Sequence, residues 1–288
     1  IYPDNKFIND PRCHMNYPIK DLYGVPYSED SYKFKFLKLY YSDMTDYQSQ
    51  IYQKFIQSLN ETENLQISEQ RAGIQISNIV FPSVDVLLNK EKITEKNFKK
   101  FYGGSGMFKV VEGNRKGYTY NREWKKSPEF FPIFDLNHIQ KFSTKIHTLL
   151  TGLRDNRAKG IIFIYTEFIP SGIFPLAFAL EHMGFEKYSG NIFEYPEWKK
   201  GSTNTKNKPI DFNWNPMSEK KGKRAKYIIL SGNKDLSPNN AEEVKELVSD
   251  NNSEGQIIKV VIGNIVAAEG LDLKNIREIH VLDPWYHL

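Results

Sequence analysis

QIIKVVIGNIVAAEGLDLKNIREIHVLDPW, residues 256–285, decides the fold. It reads as a β-branched run at 257–262, a loop of small and polar residues, and a second strand at 278–282. A continuous run such as IIKVVI suits a central strand covered on both faces, which is the habit of parallel sheets. Working back from it, the same alternation of helix and strand recurs. Ile139, Phe142, Ile146, Leu149 and Leu153 mark a helix, and Gly160 leads into a strand at 161–165. Ser171 suits the cap of a helix running through Leu176, Phe178, Leu180 and Met183 to a stop at Gly184. A strand at 227–230 precedes Ser237-Pro238, a helix start, and a helix to Val248. Alternating elements of this kind predict an α/β fold, a parallel sheet of at least four strands with flanking helices, over residues 137–288.

Residues 1–136 are less regular and read as an α/β or irregular extension. A strand is expected at 34–41, then a helix capped by Thr45 with Gln48 completing a capping box, its core stripe formed by Tyr47, Ile51, Phe55 and Leu59. After a polar break comes SNIVFP, residues 77–82. The aromatic and basic stretch 96–124 contains Gly103, Gly104 and Gly106 without a strand-to-helix context, so a loop or β-hairpin insertion is expected there rather than a phosphate loop.

Composition narrows the function classes. Of 288 residues, 40% are hydrophobic and 14% aromatic, enough for a packed core and against wholesale disorder. One cysteine, Cys13, excludes an internal disulfide and a thiolate-cluster metal site. His14, His182, His280 and His287 show no metal-ligand spacing. No apolar run approaches the ~20 residues of a membrane helix, and the first residues lack a signal-peptide core. An intracellular protein that does not enter membranes is expected, and a chain starting at Ile1 is read as a piece of something longer. Net charge is +4, yet residues 199–226 hold nine basic side chains against Asp211 and Glu219. That stretch is rich in Asn, Ser, Thr and Gly and reads as a long surface insertion, either a solvated linker or a phosphate-contacting arm.

Open parallel sheets bind ligands at the carboxyl ends of their strands. Three such ends carry small and polar residues: Thr166-Glu167, Ser231-Gly232-Asn233, and the loop from Asn264 through Asp272. Small residues let a backbone come close enough for its amides and hydroxyls to meet phosphate oxygens. Ordinary turn and cap chemistry would explain any one of these loops alone.

The run 260–283 with Pro284 and Trp285 resembles motif V of superfamily 2 helicases and its sequel. The likeness is greatest to the helicase-like ATPases and early-transcription-factor nucleoside triphosphatases of poxviruses and other large DNA viruses. Ala267, Glu269, Gly270, Leu271 and Asp272 match the family's A-x-E-G-[IL]-D element, and Asp283, Pro284 and Trp285 its [DE]-P-W ending. GIIFIYTEFIPSG, residues 160–172, resembles motif IV, and ILSG, residues 229–232, the phosphate-facing element after it. SNIVFP and the FSTKI segment at 142–146 also fit the family's approach to its second lobe.

The resemblance implies that 137–288 is the second RecA-like lobe, cut before the arginine-bearing motif VI, and that 1–136 is a linking or accessory region. It further implies that Glu269, Gly270 and Asp272 face the nucleotide and couple it to the strand. Thr166, Ser231, Gly232 and Asn264 would contact backbone phosphates, joined by Lys220, Lys221, Lys223 and Arg224 of the insertion if that segment is an arm. ATP and Mg²⁺ would be used by the full protein and bound by neither this piece nor any metal site in it. DNA or RNA, the missing first lobe and a viral RNA polymerase are the implied partners, in the virion or the cytoplasm of an infected cell. Departures accompany these matches. The chain has no GxxxxGK[ST] loop and no DExx box, and Asn264 stands where many helicases carry Thr. No catalytic residue is therefore expected within it. A noncatalytic helicase-like scaffold in a viral transcription complex is the alternative, and a nucleotide-sugar transferase, which shares only the doubly wound sheet, a third.

Overall fold

The computed structural model describes residues 40–59, 66–114, 117–125, 132–194, 209–217, 223–234, 236–265, 273 and 275–283. The chain divides into two units, Ile1–Tyr41 and Ser42–Leu288. The strand expected at 34–41 lies outside the described residues except for Tyr40 and Tyr41, which are exposed and irregular.

Within the second unit the elements are helices α1 (Asp46–Ser58), α2 (Ile67–Asn78) and α3 (Gly103–Val110), an antiparallel hairpin β1 (Val111–Asn114) and β2 (Gly117–Tyr120), and helix α4 (Thr144–Asp155). Then follow β3 (Ile161–Tyr165), α5 (Phe174–Met183), β4 (Glu186–Lys187), β5 (Lys226–Leu230), α6 (Asn240–Leu247), β6 (Ile258–Gly263) and β7 (Ile276–Val281). The last five strands form one parallel sheet in the order β4-β5-β6-β3-β7. This is an α/β fold consistent with a RecA-like domain. All but the first residue of the IIKVVI run lies in β6, which is flanked by β5 and β3 and buried along its whole length. Alternate residues of β3 part to opposite faces, Ile162 and Ile164 to one core, Ile161 and Phe163 to the other. The larger core holds α4 and α5 together with Ile79, Phe81, Met107, Val110, Tyr120, Trp124 and Phe134 of the preceding region. Described residues between Ile79 and Phe134 are thus packed in the core of the sheet rather than strung beside it.

Thr45 caps α1 as expected, its Oγ1 accepting from Gln48 N at 3.2 Å and donating to Lys141 O at 2.8 Å. Gln48 turns instead to the interior, donating to Ile76 O and accepting from Thr144 N. The cap therefore also fastens α1 to the segment ahead of α4. Thr45→Ala should cost about 1 kcal/mol in urea unfolding, a lost cap, while Thr45→Ser should cost far less.

Further local expectations are corrected, among them the helix start read at Ser237-Pro238, since that helix begins at Asn240. The polar break before SNIVFP is helix α2, started by Glu69 Oε2 accepting from Gln66 N; few apolar residues are needed because Ile76 and Asn78 are its buried positions. The glycines at 103–106 open helix α3, and the expected hairpin follows them. The helix expected from 137 is two, a single turn at Leu136–Ile139 and then α4, restarted by Ser143 Oγ accepting from Ile146 N. Ser171 is no cap: it sits buried in a π-helical turn, Ile169–Ile173, between Gly103 N and Gln75 Oε1. Part of the 199–226 insertion is also folded. Asp211 Oδ1 accepts from Asn213 N and Asn215 N, and Trp214 is buried against Phe185, donating Nε1–H to Ala158 O at 2.9 Å.

Candidate functional site at the carboxyl edge of the sheet

The chain leaves β3 toward one edge of the sheet, at β4, and leaves β6 toward the other, at β7. Adjacent strands with diverging exits open a crevice at their carboxyl ends, the usual ligand position in open α/β sheets. Backbone bonds hold the strand ends level: Thr166 N donates to Gly263 O, Asn264 N to Leu230 O and Leu282 N to Tyr165 O. Thr166, Ser231, Gly232, Asn264 and Asp283 are thereby brought to a single edge.

Asp283, directly beyond β7, organises that edge. It is 1% exposed. Its Oδ2 accepts from Thr166 Oγ1 at 2.7 Å and from Asn78 Nδ2, and its Oδ1 accepts from Glu167 N at 2.7 Å. Lys145 Nζ closes the network, donating to Ser77 Oγ at 2.9 Å and Asn78 Oδ1 at 3.3 Å. Burial pushes the Asp283 carboxyl above its ordinary range, while its three donors and the Lys145 charge pull it back. Burial likewise lowers the Lys145 ammonium, against the pull of Asp283. Outside this knot Arg71 pairs with Glu167 and lies over the Phe168 ring, 4.9 Å from its centroid. Gly172 permits the packing: a Cβ there would lie 1.9 Å from Thr166 Oγ1.

A second, smaller cluster sits at the end of β5. Ser237 Oγ donates its proton to Ile229 O at 2.6 Å, so in the 3.1 Å contact between Ser237 and Ser231 the donor is Ser231. Asn233 N reaches Ser231 Oγ, and Asn240 Nδ2 reaches Ser231 O. Gly232 is exposed at the tip and Asn264 is half-buried.

The hydroxyls singled out from the sequence therefore point inward. Thr166 is fully buried and serves Asp283; Ser231 is 2% exposed and serves Ser237. Gly232, the Asn233 loop and Asn264 remain at the surface of the edge. Lys223 is exposed and Arg224 half-buried just ahead of β5. Glu269, Gly270, Asp272, Lys220, Lys221, Pro284 and Trp285 lie outside the described residues. Sequence reasoning missed Asn78 and Lys145 as members of the site, although both stand in the SNIVFP and FSTKI segments set aside as family-like. The available signal was a polar side chain beside the apolar residues of each segment, Asn78 before Ile79 and Lys145 before Ile146. Among the described residues no group of His, Cys, Asp and Glu could hold a metal ion, and no helix is long and apolar enough to cross a membrane.

No protein-family model matches the chain. It is 25% identical over 263 residues to a protein of Acanthamoeba polyphaga mimivirus named as a putative ATP-dependent RNA helicase, L377. That similarity takes in 77% of this chain and 22% of the viral protein, so the chain spans about a fifth of its relative's length.

Proposed function

We propose that this chain is the second RecA-like lobe of an ATP-driven nucleic-acid motor of superfamily 2, from a large DNA virus and serving transcription. Residues 137–288 would make the lobe and the region before them its linking extension. The similarity to the mimivirus protein, running through most of the chain and onto a RecA-like sheet, is the observation that carries this reading. In the working protein ATP and Mg²⁺ would bind between this lobe and a partner lobe supplying the phosphate loop and metal carboxylates absent from this sequence. Glu269, Gly270 and Asp272 would meet the nucleotide from this side. Closure of the cleft, favoured because nucleotide touches both lobes only when closed, would shift the lobe along a strand of RNA or DNA.

The inward-turned hydroxyls refine the phosphate-contact roles. Gly232 would meet the strand through its backbone amide and Asn264 through its half-buried side chain, whereas Thr166 and Ser231 would hold their loops in shape. Lys220, Lys221, Lys223 and Arg224 would add sequence-independent phosphate contacts. A viral RNA polymerase is the partner that a role in transcription would require, within the infected cell or the virion.

The isolated chain should release no phosphate from ATP above buffer, with or without nucleic acid, and should bind single strands with a steep loss of affinity in salt. Turnover on the order of 1 s⁻¹ by the chain alone would overturn the one-lobe reading. In the longer protein, Asp272→Asn should reduce strand-stimulated ATP turnover and leave the melting temperature in place. Unchanged turnover there would take Asp272 out of the nucleotide cleft and leave its assignment to the sequence resemblance alone.

A further inference from the structure

Helix α3 turns Gly106, Met107 and Val110 inward, yet leaves Phe108 57% exposed. The Phe108 ring lies along the helix over Gly104, 3.9 Å from where a Cβ on that glycine would sit. Cations adjoin it. Lys109 is exposed, and its ammonium stands 5.7 Å from the centroid of Phe101, a buried residue of the 3₁₀ turn Phe98–Phe101. That turn buries both phenylalanines and exposes Lys99 and Lys100. Lys109 thus reaches from the helix to the turn that presents the other two lysines. The backbone beneath is fixed: Asn121 Nδ2 donates to Phe108 O at 3.1 Å and Lys109 O at 2.9 Å, and Trp124 Nε1 donates to Lys109 O at 3.1 Å. Glu112 and Glu123 are the exposed acids of the adjoining hairpin and the helical turn after it.

An exposed aromatic ring on rigid backbone, followed by Lys109 and close in the chain to a turn that presents two more lysines, suits one class of partner in particular. Bases stack on such a ring whatever their identity, while lysines neutralise the phosphates on either side. A protein partner fits less well, because lysine is depleted from protein interfaces and a lone ring offers little apolar area. The geometry points to a single-strand contact away from the sheet edge, in which Phe108 stacks on one base and Lys99, Lys100 and Lys109 hold the flanking phosphates. The inference rests on the nucleic-acid reading above, but on none of the residues that reading uses.

The test is anisotropy of fluorescein-labelled oligouridine and oligothymidine with the 288-residue chain, repeated with strands carrying 2-aminopurine, whose emission is quenched by stacking. Phe108→Ala should weaken binding about five- to 100-fold and abolish the quenching, and Phe108→Tyr should restore both. Replacing Lys99, Lys100 and Lys109 by Gln should flatten the log-affinity against log-salt slope by about 2. Because Phe108 is exposed, its melting temperature should not move, which separates lost contact from lost fold. Binding by the unaltered chain that Phe108→Ala leaves intact, quenching included, would overturn this inference and spare the helicase-lobe reading. No binding by the unaltered chain would overturn both.

Discussion

Asp283→Ala should destabilise the chain by about 3 kcal/mol in urea unfolding, with an unchanged slope against denaturant. The size follows from what is left behind. Thr166 Oγ1 and Asn78 Nδ2 would lose their acceptor in a buried site and Glu167 N in a half-buried one, and each buried donor without a partner costs about 1–3 kcal/mol. Lys145, whose ammonium already sits below its ordinary range through burial, would lose the charge that offsets it. Partial relaxation and water entry keep the total below the sum of these costs. Lys145→Met in the Asp283→Ala background should therefore recover part of the loss, giving a coupling of about 1 kcal/mol in a double-mutant cycle. Asp283→Asn should fall between, since its amide nitrogen would face a donor wherever it is turned. A loss under about 0.5 kcal/mol for Asp283→Ala, or strict additivity with Lys145→Met, would show that the network does not hold the edge together.

That network also marks where sequence reasoning stops. The sheet was legible because its strands announce themselves: IIKVVI and IIFIY need cover on both faces, and only crossover helices supply it. Gly184 ended α5 as read, its φ of +105° being a conformation that favours glycine. Helix α2 was not legible, since ISEQRAGIQISN has a weak apolar stripe and is held chiefly by what it packs on, with Ile76 in the satellite core of α1. The contact between Asn78 and Asp283 spans 205 positions, and no local pattern encodes a pairing so distant. Ser171 and Ser231 fit the cap and phosphate-contact roles by residue type. Their burial is decided by tertiary neighbours, Gln75 and Gly103 for one, Ser237 for the other. Resemblance pointed to segments that meet at one sheet edge, then, while the partners within them needed the fold.

Glu181 should make the stability of this fold fall as pH rises from about 5 to about 7.5. The carboxyl, on α5 and 0% exposed, is raised by burial from 4.5 to about 7, even though Tyr227 Oη, Ile192 N and Phe193 N all donate to it and the Lys187 charge favours its ionised form. In the unfolded chain the group ionises near 4.5, whereas the folded chain keeps its proton until about 7. Between those values the folded state binds more protons, so stability is greatest below the unfolded value and declines through the window, by about 3 kcal/mol in all. Asp283 is raised in the same direction by burial, so the diagnostic quantity is the difference from a variant. Glu181→Gln removes this titration at a constant cost of about 1 kcal/mol, because one backbone donor then faces an amide nitrogen. The variant should be the less stable protein at pH 5 and the more stable at pH 8, the two curves crossing between. Tyr227→Phe, which takes away the first of the groups holding the carboxylate ionised, should move the wild-type decline to higher pH. Parallel curves for wild type and Glu181→Gln from pH 5 to 8 would mean that the buried carboxyl keeps one protonation state throughout.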